Sequence, residues 1–201
     1  MFEKRLYKNI TLLLAAFSCL LLVACNQAFA PKFNNVDITG ASNFGTNFEL
    51  TDHHGQVRHL DDFKGKVVVM FFGYTQCPDV CPTTMVEMQG VMNLLGSKAD
   101  QVQVIFVTLD PERDTQDILA EYVPAFGATF LGLRPQTPEA LQKITKDFKV
   151  FYQKVPGSKG SYTIDHTAGS YVFDKEGHIR LFVKHGQGVQ PLADDLKILL
   201  D

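Results

Sequence analysis

Phe71-Phe72-Gly73-Tyr74-Thr75-Gln76-Cys77-Pro78-Asp79-Val80-Cys81-Pro82 is the stretch that decides how the chain is read. The residues leading into it, Lys66-Val67-Val68-Val69-Met70-Phe71-Phe72, are β-branched and aromatic and end at Gly73. That is the pattern of a short strand buried on both faces. Pro82 suits the first turn of a helix, where its missing N–H would have no intrahelical acceptor. The unit is therefore a strand, a loop with two thiols, and a helix. In open α/β sheets, chemistry collects outside the carboxyl ends of the strands, so this loop is the first place to look for a site.

Two thiols with three residues between them can converge on one atom or on each other. A helix N-terminus is expected to lower the pKa of Cys81 and favour the thiolate that binds soft metals and attacks disulfides. Cysteines also serve as small buried hydrophobes. A proline after each cysteine and a polar loop between them speak against that alternative here.

The 201 residues are 45 % hydrophobic and 20 % charged, the composition of a globular domain with a tail. A formal net charge of −3 offers no basic surface for nucleic acid. At the N-terminus, Lys4, Arg5 and Lys8 precede an apolar run over residues 10–24 that is short for a membrane span. The run ends in Leu22-Val23-Ala24-Cys25, which resembles a bacterial lipobox with Cys25 as the lipidated residue. An uncleaved anchor or an ordinary signal peptide is the alternative, and each places the domain outside the cytoplasm. The expected division is a lipoprotein signal peptide over residues 1–24, a tether over 25–44 and a folded domain over 45–201. The domain would stand in the periplasm or on the outer face of the cytoplasmic membrane. Cys19 leaves with the signal and Cys25 carries lipid, so Cys77 and Cys81 are the thiols left to the folded part.

Residues 48–51 and 56–60, joined through Gly55, predict a hairpin. His53, His54 and His59 read as residues of that turn and its flanks, because no thiol or carboxylate cluster adjoins them in sequence. From Pro82 the helix is expected to run to Leu95 and stop at Gly96. Met85, Met88, Met92 and Leu95 form one stripe along it. Thioethers beside thiols suggest a copper relay, but helical spacing favours core packing. Residues 102–109 read as the next buried strand, parallel to the first if the helix is a crossover. The acidic turn Asp110-Pro111-Glu112-Arg113-Asp114-Thr115 would then share an edge with the cysteines. Alternatively, Asp114 or Thr115 caps the helix that follows to about Phe126, and Arg113 pairs with a local carboxylate. A helix from Thr137-Pro138-Glu139, a strand over 150–155, a hairpin over 170–174 and 179–183, and a helix over 191–200 complete the chain. Ile164-Asp165-His166-Thr167 lies in the stretch before that late hairpin. The order predicts an α/β thioredoxin-like fold: a mixed central sheet covered by helices, with an N-terminal β-hairpin.

Three segments taken together resemble the Sco (SenC) family of copper-binding proteins that serve cytochrome c oxidase assembly. They are Phe72-Gly73-Tyr74-Thr75 with Cys77-Pro78-Asp79-Val80-Cys81-Pro82, then Thr108-Leu109-Asp110-Pro111-Glu112-Arg113-Asp114-Thr115, then Asp165-His166-Thr167. The resemblance spans about residues 45–200. It implies that Cys77, Cys81 and His166 bind copper, and that the protein helps build the binuclear copper site of the oxidase. It would do so by delivering metal, by reducing that site's cysteines, or both. The implied partners are the copper-site subunit of the oxidase and a copper donor protein, with a lipid anchor holding the chain at the membrane. Phe130-Leu131-Gly132-Leu133-Arg134-Pro135 departs from the family's usual phenylalanine-glycine-leucine-threonine-glycine run, which bears on a loop and not on the ligands.

Two thiolates and one imidazole suit Cu(I), and the imidazole lets the same set hold Cu(II). Zinc would want a fourth ligand, which water or Asp79 could supply. Asp165 is the candidate for orienting the imidazole, or it caps a turn. A rival reading is a thiol–disulfide oxidoreductase or peroxide-handling enzyme that uses Cys77 and Cys81 without a metal. A disulfide between the two would remove both thiolate ligands, so redox state would gate metal binding.

Overall fold

The structure is a computed structural model that describes residues 32–41, 44–45 and 48–201. The expected signal peptide over residues 1–24 and the lipidation expected at Cys25 lie outside the described residues. The strands are β1 (Val36–Asp37), β2 (Leu50–Asp52), β3 (Val57–Arg58), β4 (Val67–Gly73), β5 (Val102–Thr108), β6 (Leu131–Arg134), β7 (Tyr152–Pro156), β8 (Tyr162–His166), β9 (Gly169–Phe173) and β10 (Ile179–Lys184). The α-helices are α1 (Val80–Leu95), α2 (Gln116–Tyr122), α3 (Pro138–Asp147) and α4 (Val189–Leu200).

Strand β4 is buried along its whole length, as its apolar run predicts. Alternate side chains of a strand point to opposite faces, and here each face feeds a separate core. Val67, Val69 and Phe71 pack with Met85, Met88 and Val91 of α1 and with Leu192 and Leu196 of α4. Val68, Met70 and Phe72 pack with Leu60, Ile144, Phe148 and Tyr171. The methionine stripe of α1 is thus core, with Met85 and Met88 buried.

The sheet has the order β1-β10-β9-β4-β5-β6-β2-β3, with β4, β5 and β6 parallel and the remaining pairs antiparallel. Gly73 stands opposite Thr108 in the parallel register, so the cysteine loop and the turn at residues 110–115 leave the same edge. This is the thioredoxin-like arrangement, a mixed sheet with helices on both faces. The expected N-terminal hairpin is present as β2 and β3.

Four local differences have physical causes. Strand β6 went unread because it offers only Leu131 and Leu133 around a glycine that must stay bare. A Cβ on Gly132 would sit 3.0 Å from Val123 Cγ2. Helix α2 ends at Tyr122 rather than near Phe126, because Pro124 has no N–H to donate to the Ala120 carbonyl, although Val123 before it keeps helical backbone. Among the described residues, strands β7 and β8 pair only with each other, as a ribbon set apart from the main sheet, so the stretch before the late hairpin is itself a strand that ends at His166.

The fourth difference concerns the tether. Of its described residues, 33–41 include β1, which pairs with β10. The buried carboxylate of Asp195 accepts the backbone and side-chain N–H groups of both Asn34 and Asn35 at 2.8–2.9 Å. A run of Asn, Ala and Gly without a period carries no trace of an acceptor some 160 residues away.

The histidines near the hairpin serve the fold. His53 is buried, and its Nδ1 accepts the Gly132 N–H at 2.9 Å. The His59 Nδ1 lies 3.0 Å from the Phe48 carbonyl, where it donates. Among the described residues, no helix is long and apolar enough to cross a membrane.

Candidate metal centre

The loop leaving β4 turns directly into α1, which places Cys77 on the rim and Cys81 inside the first helical turn. Cys77 is half-buried, Cys81 fully buried, and both are free thiols. The first N–H groups of a helix have no intrahelical acceptor. Here the Cys81 N–H donates to the Cys77 Sγ at 3.4 Å, a contact that strengthens when the sulfur is a thiolate. Gly73 makes the close approach of strand and thiol possible. A Cβ there would lie 2.8 Å from the Cys81 Sγ and 2.9 Å from Phe71 Cε1.

The helix end does not lower the Cys81 pKa in the metal-free chain. Burial dominates and pushes the thiol well up, and the hydrogen bond and charge of Cys77 add to it. Cys81 is therefore a protonated thiol at neutral pH until a metal displaces its proton.

The third donor arrives from the ribbon. His166 Nε2 lies 3.6 Å from the Cys81 Sγ, and the two sulfurs and an imidazole nitrogen all fall within 4.8 Å of one another. His166 Nδ1 lies 3.0 Å from the Thr167 carbonyl oxygen. A carbonyl only accepts, so Nδ1 carries the proton and Nε2 turns its lone pair toward the thiols. Burial lowers the His166 pKa, which keeps the ring neutral and able to ligate. The rings of Phe71 and Tyr74 stand edge-on to the imidazole, with centroids at 6.4 and 6.1 Å.

Asp165 lines the same cleft but does not bond to the imidazole. Along β8, Ile164 is buried and Asp165 exposed, and the Thr167 carbonyl, not Asp165, holds the imidazole. The Asp165 charge raises the His166 pKa through space, as the least of three influences. Asp79 is also exposed. It occupies the N-cap position of α1, but its side chain makes no capping bond.

Asp114 is a buried residue whose role the sequence did not disclose. Its carboxylate accepts the Thr75 N–H at 3.0 Å, the Thr75 hydroxyl at 2.5 Å and the Thr108 hydroxyl at 2.5 Å. It pins the start of the cysteine loop to the end of β5. Burial raises its pKa against the pull of those three bonds. The cap of α2 is Thr115, whose hydroxyl accepts the Ile118 N–H at 3.3 Å. The parallel pairing of β4 with β5 was the signal available, since it sets Thr75, Thr108 and Asp114 at one edge.

Cys77 and His166 line an open cleft of about 340 Å³ together with Tyr74, Pro78, Asp79 and Asp165, among others, while Cys81 is fully buried. A second group, Asp174, Glu176 and His178, has comparable ligand spacing. Its Asp174 carboxylate is engaged by the Glu176 and His178 N–H groups and by Arg180, which makes it a turn cap. The donor set at the first cluster, two soft sulfurs and a pre-oriented imidazole nitrogen, fits copper.

The family model described as SCO1/SenC matches residues 36–201. A SCO2-like protein of Rickettsia felis is 32 % identical over 179 residues, covering 88 % of this chain and 85 % of that protein. Among solved structures, ScoI of Bradyrhizobium japonicum with copper bound is 38 % identical with a TM-score of 0.71, covering 78 % of this chain and 99 % of the other. Apo Sco1 of Thermus thermophilus is 37 % identical with a TM-score of 0.72, covering 84 % and 97 %. The matched span contains the cysteine loop, the turn that pins it and the ribbon histidine, and the chain belongs to the SCO1/SenC family.

Proposed function

We propose that this chain is a copper-binding protein, tethered outside the cytoplasm by lipid on Cys25, that assists assembly of the binuclear copper site of cytochrome c oxidase. The observation that carries the reading is the convergence of Cys77 Sγ, Cys81 Sγ and His166 Nε2 within one cluster beside an open cleft. Relatives solved with copper bound, and the family's link to oxidase assembly, support it.

Copper is the cargo in this reading. Cys77 and Cys81 bind it as thiolates, the Cys81 proton leaves to solvent, and His166 adds its Nε2. The open cleft lets a recipient thiolate bind before Cys77 departs, so the metal passes by ligand exchange. Once the metal has gone, Cys81 regains a proton, because its buried site favours the neutral thiol. The same pair can prepare the recipient. The Cys77 thiolate attacks a recipient disulfide, and Cys81 then resolves the mixed disulfide. The recipient leaves as a dithiol: its two electrons come from the Cys77 and Cys81 sulfurs, which end as a disulfide, and its protons from the Cys81 thiol and solvent. Exposure supports this order, since Cys77 is half-buried and Cys81 fully buried.

The test mixes full chain carrying one Cu(I) with the reduced, metal-free copper-site domain of the oxidase subunit. Copper is expected to move to the acceptor, and Cys81→Ser is expected to abolish both loading and transfer. Failure to form a one-to-one Cu(I) complex would overturn the reading. Disulfide turnover through Cys77 and Cys81 in a chain that takes up no Cu(I) is the signature of an oxidoreductase instead.

A further inference from the structure

The ribbon that carries His166 makes no ladder with the main sheet. A two-stranded ribbon is marginal alone, so contacts from its side chains must hold it to the body of the protein. Tyr162, Ile164 and His166 alternate along β8 and share one face. Whatever fixes Tyr162 therefore fixes the face on which the imidazole stands.

Tyr162 is fixed by the turn that follows β5. Its hydroxyl donates to Asp110 Oδ1 at 2.8 Å. The Arg113 guanidinium lies over its ring, 3.6 Å from the centroid. Arg113 then reaches three elements: Nε donates to Asp110 Oδ2, and Nη1 donates both to the Tyr162 carbonyl at 2.9 Å and to Gln76 Oε1 at 3.1 Å. Gln76 precedes Cys77. The guanidinium thus joins the thiol loop, the acidic turn and the ribbon, with its side chain 20 % exposed. A second tie between turn and ribbon, Lys154 to Glu112 at 2.7 Å, is exposed and weak.

We propose that Arg113, acting with Asp110 and Tyr162, is a positioning residue that clasps the β7–β8 ribbon against the cysteine loop and so sets His166 at the thiol pair. This rests on the reading of Cys77, Cys81 and His166 as a copper site. The planar fork of arginine suits the task, because one group must donate in several directions and stack on a ring at once. The thiol loop keeps its own anchor in the Asp114 bonds to Thr75, so loss of the clasp falls chiefly on the third ligand.

The experiment uses the full chain and the variants Arg113→Gln, Arg113→Lys and Tyr162→Phe, with Cu(I) and Cu(II) as probes. Metal-free amide exchange is read first. Amides of β7 and β8 are expected to exchange about fivefold faster in Tyr162→Phe, the equivalent of one lost hydrogen bond, and faster still in Arg113→Gln. Those of β4 and β5 should be unchanged. All variants are expected to retain one Cu(I) through the cysteines, while the Cu(II) charge-transfer band shifts toward that of His166→Ala. Arg113→Lys is not expected to restore it. Ribbon exchange and a Cu(II) band equal to wild type in Tyr162→Phe and Arg113→Gln would overturn the clasp. If Arg113→Gln does not fold, Tyr162→Phe decides alone. A wild-type chain that takes up no copper overturns the underlying copper reading instead, and the metal-free exchange data tell the two failures apart.

Discussion

Cys81 is the residue on which the energetics of the site turn. Burial holds its thiol far above its ordinary range, so the metal-free chain carries that proton throughout the neutral region. Binding as a thiolate releases it, and affinity must rise with pH. The His166 imidazole does not oppose this trend, because burial lowers its pKa and leaves it already neutral near pH 7. Cu(I) affinity measured by competition at pH 6, 7 and 8 is therefore expected to increase by at least about tenfold per unit, the factor that the Cys81 proton alone contributes. An affinity independent of pH would contradict the protonated, buried Cys81.

At the scale of elements, the strand, loop and helix around the thiols were legible because each carries a local signal. The apolar run of β4 has no polar interruption, Gly73 closes it, and proline sits in the first turn of α1. The ribbon was not legible in the same way. Its first strand was expected over 150–155, but β8 was not: half of the ribbon's residues are exposed and only Ile164 is buried, and its turn uses Lys159 and Gly160 at positive φ. His166 could be connected to the cysteines only through the family resemblance, because it reaches them through a strand that leaves the main sheet. The partner of its Nδ1 was also beyond the sequence. Asp165 has the chemistry to orient an imidazole, but it does not bond to the ring, and a backbone carbonyl does the holding.

For the whole molecule, the segment that enters the domain is part of the domain. Asp195 on α4 binds four N–H groups of Asn34 and Asn35, and β1 closes the sheet beside β10. The carboxylate is fully buried and, among the described residues, no basic side chain pairs with it, so these donors are what compensate its burial. Asp195→Ala is expected to lower unfolding free energy by about 3 kcal/mol in denaturant melts, with Cu(I) stoichiometry unchanged. A loss below about 1 kcal/mol would contradict a structural anchor there.

The measurement that bears most directly on the central claim is the absorption and EPR spectrum of the reduced chain given one equivalent of Cu(II), for wild type and His166→Ala. The account expects a thiolate-to-copper charge-transfer band in wild type that is lost or altered in the variant. Rapid oxidation to a Cys77–Cys81 disulfide with release of copper, equal in both proteins, would contradict a three-ligand copper site.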